Sequence, residues 1–235
     1  MSDNTTSTIS TSKGISYPNE STEYRIARNQ LLEQEMGLRR QLEAVALIRR
    51  GLPLGGLVST DYVFTNGSGA LSLSDMFESG KDVLAVYSFM HSPDMAEPCM
   101  GCTHLLDALD GSAQHFEQRL NFQVVAKSPY ETLASFATER NWRNLRLASA
   151  AGCTFSLDYY GEDADGSQMP MLNLFEKRSD GIRHTWGSEL MFQDAEPGQE
   201  MRHLDLLDPM YNMFDLTPDG RGDFRPERHY EHQAS

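Results

Sequence analysis

The residues in this 235-residue chain best placed to do chemistry are Cys99-Met100-Gly101-Cys102. Cys99 is the tenth residue after the end of the apolar run Val83–Phe89, and the motif opens an apolar helical pattern of Leu105, Leu106 and Leu109. At such a strand-to-helix junction the first sulfur sits at a helix N-terminus, where unpaired N–H groups and the helix dipole favour a thiolate. The second lies one turn inside, close enough to form a disulfide and shielded from solvent. Cys99 is then the expected nucleophile toward a disulfide, and Cys102 the thiol that resolves the mixed intermediate. Three other readings compete: two merely buried cysteines, half of a zinc site with His104 completing CxxCxH, or a redox-like fold whose motif is idle. Zinc needs further ligands, and the sequence has no second CxxC or spaced His pair to supply them. No metal and no cofactor is therefore expected.

Those sulfurs need a scaffold. Val83–Phe89 is apolar but for Ser88 and follows the charged Lys81-Asp82, as a central strand buried on both faces would. Phe122–Ala126 reads as a second strand and Leu145–Ala148 as a third, with a helix over Tyr130–Arg140 turning Leu133, Phe136 and Ala137 inward. Strand, helix, strand, helix in that order predicts a mainly parallel sheet with helices on both faces. Before it, Asp61–Thr65 and Ala70–Leu73 flank Asn66-Gly-Ser-Gly as a hairpin, and Ser74 caps a short helix through Phe77 that Gly80 ends. After it, Met171–Phe175 and Ile182–Trp186 form an antiparallel hairpin about a polar turn at 176–181, and a last helix is expected over His203–Phe214. From Ser21 to about Arg50, Tyr24, Ala27, Leu31, Leu38, Leu42 and Val45 line one helical face. That helix is expected to pack across the core, with pairing to a second subunit, and so a homodimer, as the alternative. The organisation is a flexible tail at 1–19, a helical extension at 20–53, one domain at 54–225 and a polar tail at 226–235.

Met169-Pro170 stands directly before the strand at Met171. Proline cannot donate to a ladder, so at a strand entrance it marks an edge or a cis bond. A CxxC helix, then strand, helix, such a proline and a hairpin resembles the thioredoxin fold. By that resemblance a cis Pro170 packs against the CxxC and leaves the backbone of Met169 free to pair with a substrate strand, so Met169 and Pro170 are the expected substrate-binding wall. Tyr62-Val-Phe, Leu71-Ser-Leu-Ser-Asp, Cys99-Met-Gly-Cys-Thr, Asn141-Trp-Arg, Arg183-His-Thr-Trp and Asp215-Leu-Thr-Pro-Asp-Gly-Arg narrow the match. Over about residues 22–225 they resemble the thioredoxin-like domain-of-unknown-function family number 899, described as dithiol–disulfide oxidoreductases. The resemblance implies an α/β, thioredoxin-like domain with a peroxiredoxin-like elaboration: a mixed central sheet flanked by helices, behind an N-terminal helical extension. The implied partners are a protein or small-molecule disulfide and a cellular dithiol reductant.

The chain departs from ordinary thioredoxins. Trp-Cys-Gly-Pro-Cys is absent, and the strand 83–90 lacks the buried carboxylate that assists proton transfer in many of them. His91, Asp94, Glu97 and His104 are the nearby candidates for that work. A peroxiredoxin-like peroxidase is the rival enzyme, but Ala96 stands where such enzymes place Thr three residues ahead of the reactive Cys, and Pro93 lies six ahead. Outside enzymes, the alternative is a binding module that has kept the fold. Cys153 is either a third redox thiol or a small buried hydrophobe, the second being favoured. Calcium at Asp163-Ala-Asp165-Gly166 is rejected, because Gly161 and Leu172 occupy ligand positions.

Composition sets the outer limits. The chain has 20 Lys+Arg against 34 Asp+Glu, a net charge of −14, which repels phosphate and argues against nucleic acid or an anionic membrane as partner. No apolar run approaches the ~18 residues a membrane helix needs. Three cysteines are too few for a secreted disulfide scaffold, so a cytoplasmic location is expected.

Overall fold

The computed structural model describes residues 15–199, 202 and 204–230. Its contacts divide the chain into two units, Met1–Pro53 and Leu54–Ser235.

In the first unit, α1 spans Thr22–Arg50. Ser21 Oγ accepts the Tyr24 N–H at 3.1 Å and caps the start, while Glu23 in the first turn and Arg49 and Arg50 in the last complement the helix dipole. No residue of α1 is buried. Tyr24, Leu31 and Leu42 of its apolar face are about half exposed and Leu38 more so.

The second unit holds one seven-stranded sheet in the order β2-β1-β5-β4-β3-β6-β7. β1 (Val63–Asn66) and β2 (Gly69–Ser72) form the hairpin at one edge. Its turn is Gly67-Ser68, and Gly69 has φ +111°, a conformation that favours glycine. β3 (Val83–Ser88), β4 (Asn121–Ala126) and β5 (Leu147–Ser149) are the parallel part. β6 (Met171–Arg178) and β7 (Gly181–Gly187) run antiparallel at the other edge. The helices are α2 (Met100–Phe116), α3 (Tyr130–Glu139), the single turn α4 (Phe155–Asp158) and α5 (Pro209–Phe214). α2 links β3 to β4 and α3 precedes β5, so the central strands and their crossovers have the thioredoxin-like arrangement. The sheet is mixed, with antiparallel hairpins on both sides of its parallel centre.

Alternation along the central strands divides the core in two. Leu84, Val86 and Val125 face Phe64, Phe155 and Phe175, whereas Ala85, Tyr87, Phe122 and Val124 face Leu105, Leu106, Leu133 and Phe136. β3 is thus buried on both faces, as its apolar run requires. Long helices, however, cover only the second face; the first is closed by α4, by the 3-10 turn Ser74–Met76 and by aromatic side chains.

Three boundaries differ from the sequence pattern, each for a local reason. β5 starts at Leu147 rather than Leu145 because Asp110 Oδ1 gathers the N–H groups of Arg143, Asn144 and Leu145, at 2.9, 2.7 and 3.1 Å, into a turn. β6 continues to Arg178, since Glu176, Lys177 and Arg178 pair in the ladder with their charges in solvent. α5 begins only at Pro209, a residue suited to the first helical position, with Asp208 as its cap; His203, the expected start, lies outside the described residues. No helix among the described residues is long and apolar enough to cross a membrane.

Leu106, fully buried, joins α2 to the sheet. Leu106→Ala is expected to lower the unfolding free energy by about 2–5 kcal/mol in urea titrations; a change within about 0.5 kcal/mol, the size of a surface substitution, would contradict this packing.

Candidate functional site

The loop leaving β3 is fastened to the ends of β3 and β4. Phe89 N–H donates to Val125 O at 2.8 Å, Ser128 N–H to His91 O at 2.9 Å, and Cys99 N–H to Met90 O at 3.0 Å. Cys99 is thereby delivered to the N-cap of α2, where its Sγ accepts the Cys102 N–H at 3.3 Å. The Thr103 side chain adds a bond to Cys99 O at 2.9 Å. Cys99 is half-buried, Cys102 fully buried, and both are free thiols.

Their environments drive the two sulfurs apart in acidity. The hydrogen bond from the Cys102 thiol, opposed by desolvation, then the N–H groups of Cys102 and Gly101 and the charge of His104, hold Cys99 down at about 6. The bond to Cys99, burial and the nearby thiolate charge push Cys102 well above the ordinary thiol range. Beneath them, the buried Tyr87 hydroxyl lies beside the Cys102 sulfur without a well-formed hydrogen bond.

The C-terminal segment completes the site. His104 Nε2 lies 2.8 Å from Asp208 Oδ2, and Asp208 Oδ1 accepts the N–H of Met210 at 2.9 Å and of Tyr211 at 3.3 Å. Burial works to raise the Asp208 pKa, but the bond to His104, its charge and those two N–H groups together bring it below the usual carboxylate value. Tyr211 meets His104 edge-on, with centroids 5.8 Å apart, and carries the Arg221 guanidinium 5.1 Å above its ring. Cys99, Cys102, His104, Pro170, Asp208, Tyr211, Arg221 and Arg225 share a cavity of about 430 Å³.

Of the residues expected from sequence, Cys99, Cys102, His104 and Pro170 come together. The Met169–Pro170 bond is trans, contrary to the expected cis bond, and no cis peptide occurs among the described residues. A bridge between Glu162 and Gln168, and a bond from Met169 N–H to Gly161 O at 3.0 Å, bring the chain to Pro170 already extended. Met169 does not line the cavity, and its N–H is occupied rather than free. His91 and Glu97 face a different recess, with Phe136, Glu139 and Arg228, so they do not serve the dithiol. Glu97 pairs there with Arg228 at 2.7 Å, and burial, with the Arg228 charge, lowers the His91 pKa. Asp94 is an exposed loop carboxylate. Cys153 packs on the opposite face of the sheet, where burial raises its pKa. Among the described residues no group of three or more His, Cys, Asp or Glu side chains could hold a metal ion.

Sequence reasoning missed Asp208. Its one signal, Asp followed by Pro, marks a helix cap; only the fold brings it to His104.

From residue 16 to 234 the chain matches the family described as "Bacterial protein of unknown function (DUF899)". The chain belongs to this family. Among solved structures, this family member is similar to the peroxidoxin BcpB from Mycobacterium tuberculosis, at 18% identity over 66% of this chain and 94% of that one, with a TM-score of 0.43. It is similar also to a peroxiredoxin-like protein from Aquifex aeolicus, at 14% over 58% and 75%, TM-score 0.40. The exposed lipoprotein thioredoxin Etrx1 from Streptococcus pneumoniae gives 12% over 63% and 96%, TM-score 0.41. No curated protein matches the sequence.

The acidity split is directly measurable. Iodoacetamide should modify Cys99 alone, at a rate that rises with pH through a midpoint of about 6, since a lowered pKa leaves the thiolate present above that pH. Cys102→Ala, which removes the foremost cause, should move the midpoint up further than His104→Gln, which removes the last. An unchanged midpoint in Cys102→Ala would show that the thiol pair is not its source.

Proposed function

We infer that this protein is a thiol–disulfide oxidoreductase. The observation that carries the reading is the pairing of a half-buried Cys99 at a helix N-terminus, acidic at about 6, with a buried Cys102 of raised pKa. In the first step the Cys99 thiolate attacks one sulfur of a substrate disulfide. A Cys99–substrate S–S bond forms, the substrate S–S bond breaks, and the departing thiolate takes a proton from His104 or water. In the second step Cys102 gives up its proton and attacks Cys99 Sγ. The mixed disulfide breaks, the second substrate thiol leaves, and the dithiol has passed two electrons to the substrate. A cellular dithiol returns them by the reverse exchange. His104, held by Asp208 at 2.8 Å, lines the cavity beside Cys99, and Pro170 lines it with them.

The peroxidase alternative draws no support from the loop ahead of Cys99. Ala96 lines the recess of His91 and Glu97, away from the cysteine cavity.

Cys99→Ser should abolish disulfide reduction. Cys102→Ser should accumulate a mixed disulfide at Cys99, visible by mass spectrometry as the added mass of one substrate half. Retained turnover in Cys99→Ser would end this reading. Peroxide consumption that outpaces disulfide exchange and is lost in Cys99→Ser would replace it with the peroxidase, and ligand binding with neither activity would leave a binding module.

A further inference from the structure

The cysteine cavity is roofed by chain that dithiol exchange does not itself require. Leu204, Asp205, Asp208, Tyr211, Arg221 and Arg225 line it from the C-terminal segment, across from Cys99 and Pro170. Asp208 ties the segment to α2 through His104 at 2.8 Å. Farther along, Arg140 Nη1 donates to Arg228 O at 2.6 Å, and Arg228 pairs with Glu139 at 2.6 Å and Glu97 at 2.7 Å. Between these anchors Arg221, 9% exposed, binds both Asp205 and Asp215, and Asn212 Nδ2 donates to the carbonyls of Asp205 and Asp208 at 2.6 and 2.5 Å. Leu204 and Leu207 pack on the core beneath. The segment is therefore a fixed roof. The Met169 N–H is already committed to Gly161 O, so it is not free to pair with a substrate strand.

Charge distinguishes one side of the cavity. Asp205 is matched by Arg202 and Arg221, and Asp208 by His104. Arg225 lines the same space, yet its guanidinium donates to Phe224 O at 2.8 Å and meets no carboxylate among the described residues. A chain of net charge −14 thus keeps an uncommitted cation at the rim of its cysteine cavity.

We propose that this cavity takes a small-molecule disulfide bearing a carboxylate, with the carboxylate on Arg225 and the S–S bond against Cys99, and that the roof turns away the extended segments of protein disulfides. Its volume of about 430 Å³ falls in the range of small-ligand pockets. This rests on the exchange reading and follows its steps: one substrate thiolate leaves as Cys99 bonds to the other half, Cys102 then expels that half, and the two electrons come from the dithiol.

The test is single-turnover reduction by the pre-reduced, full-length protein. The probes are dithiodipropionate, its neutral counterpart bis(hydroxyethyl) disulfide, and insulin as a protein disulfide, with each rate normalised to that of free dithiothreitol. The expected result is a preference of about tenfold for the dicarboxylate over the neutral disulfide, the factor one charge-assisted hydrogen bond supplies, with insulin slowest. Arg225→Ala, at an exposed position, should abolish the preference, and Arg225→Lys should keep part of it. Insulin reduced as fast as dithiodipropionate, or a preference that survives Arg225→Ala, overturns the proposal while exchange stands. Inertness toward all three probes overturns the exchange reading and this proposal with it.

Discussion

The pairing of a half-buried Cys99 with a buried Cys102 one turn inside α2 is the interaction on which the site depends. A sulfur in the N-cap position is a weak acceptor, even with the Cys102 N–H at 3.3 Å. The cap alone would make a modest thiolate. Placing a second, buried thiol against it changes the balance, because a proton on Cys102 stabilises negative charge on Cys99, while charge on both is prohibitive in a desolvated pocket. One proton shared unequally between two sulfurs suits the two thiols to the distinct roles proposed for them.

Such a pair tolerates little movement, and the fold around it is built accordingly. β3 is buried on both faces, so its end is a fixed point, and the Cys99 N–H is tied back to Met90 O. Leu105 and Leu106 anchor the first turns of α2 in the same core cluster that receives Tyr87. Burying Asp208 is costly for a carboxylate, and it is offset three times: by His104 and by two backbone N–H groups at the start of α5. The C-terminal segment therefore does more than cover the cysteines. It brings the charge that holds the imidazole in place.

How far this was legible in the sequence follows from the range of each interaction. β3 and β4 declared themselves as predominantly apolar runs, broken only by single polar residues such as Gln123, because both their faces are buried. The CxxC announced a helix start because the chemistry of two sulfurs one turn apart has few other uses. Interactions between distant residues left weaker traces. His104 and Asp208 are 104 positions apart, and nothing local distinguishes Asp208 from any capping aspartate. His91 and Glu97 looked suitable by nearness in sequence, yet the loop that carries them turns their side chains into another recess with Arg228. Pro170 reaches the cavity as expected, but the bond before it is trans, the ordinary state of such a bond, and the pairing of Gln168 and Met169 with the 161–162 segment is something a proline alone does not reveal.

The unequal acidity also separates what governs equilibrium from what governs rate. Holding Cys99 as a thiolate stabilises the reduced protein, which by itself makes the disulfide form a stronger oxidant. Attack on that disulfide at Cys99, however, must expel Cys102, and a thiol of raised pKa is a poor leaving group. Attack at Cys102 would expel the better leaving group, but Cys102 is only 2% exposed, which keeps a second molecule from it. In the forward direction of the proposed exchange the groups that leave are the substrate's own, so neither leaving-group obstacle arises. Burial of one sulfur thus restrains the reverse reaction kinetically while the acidity of the other sets the equilibrium, and the two properties belong to different atoms.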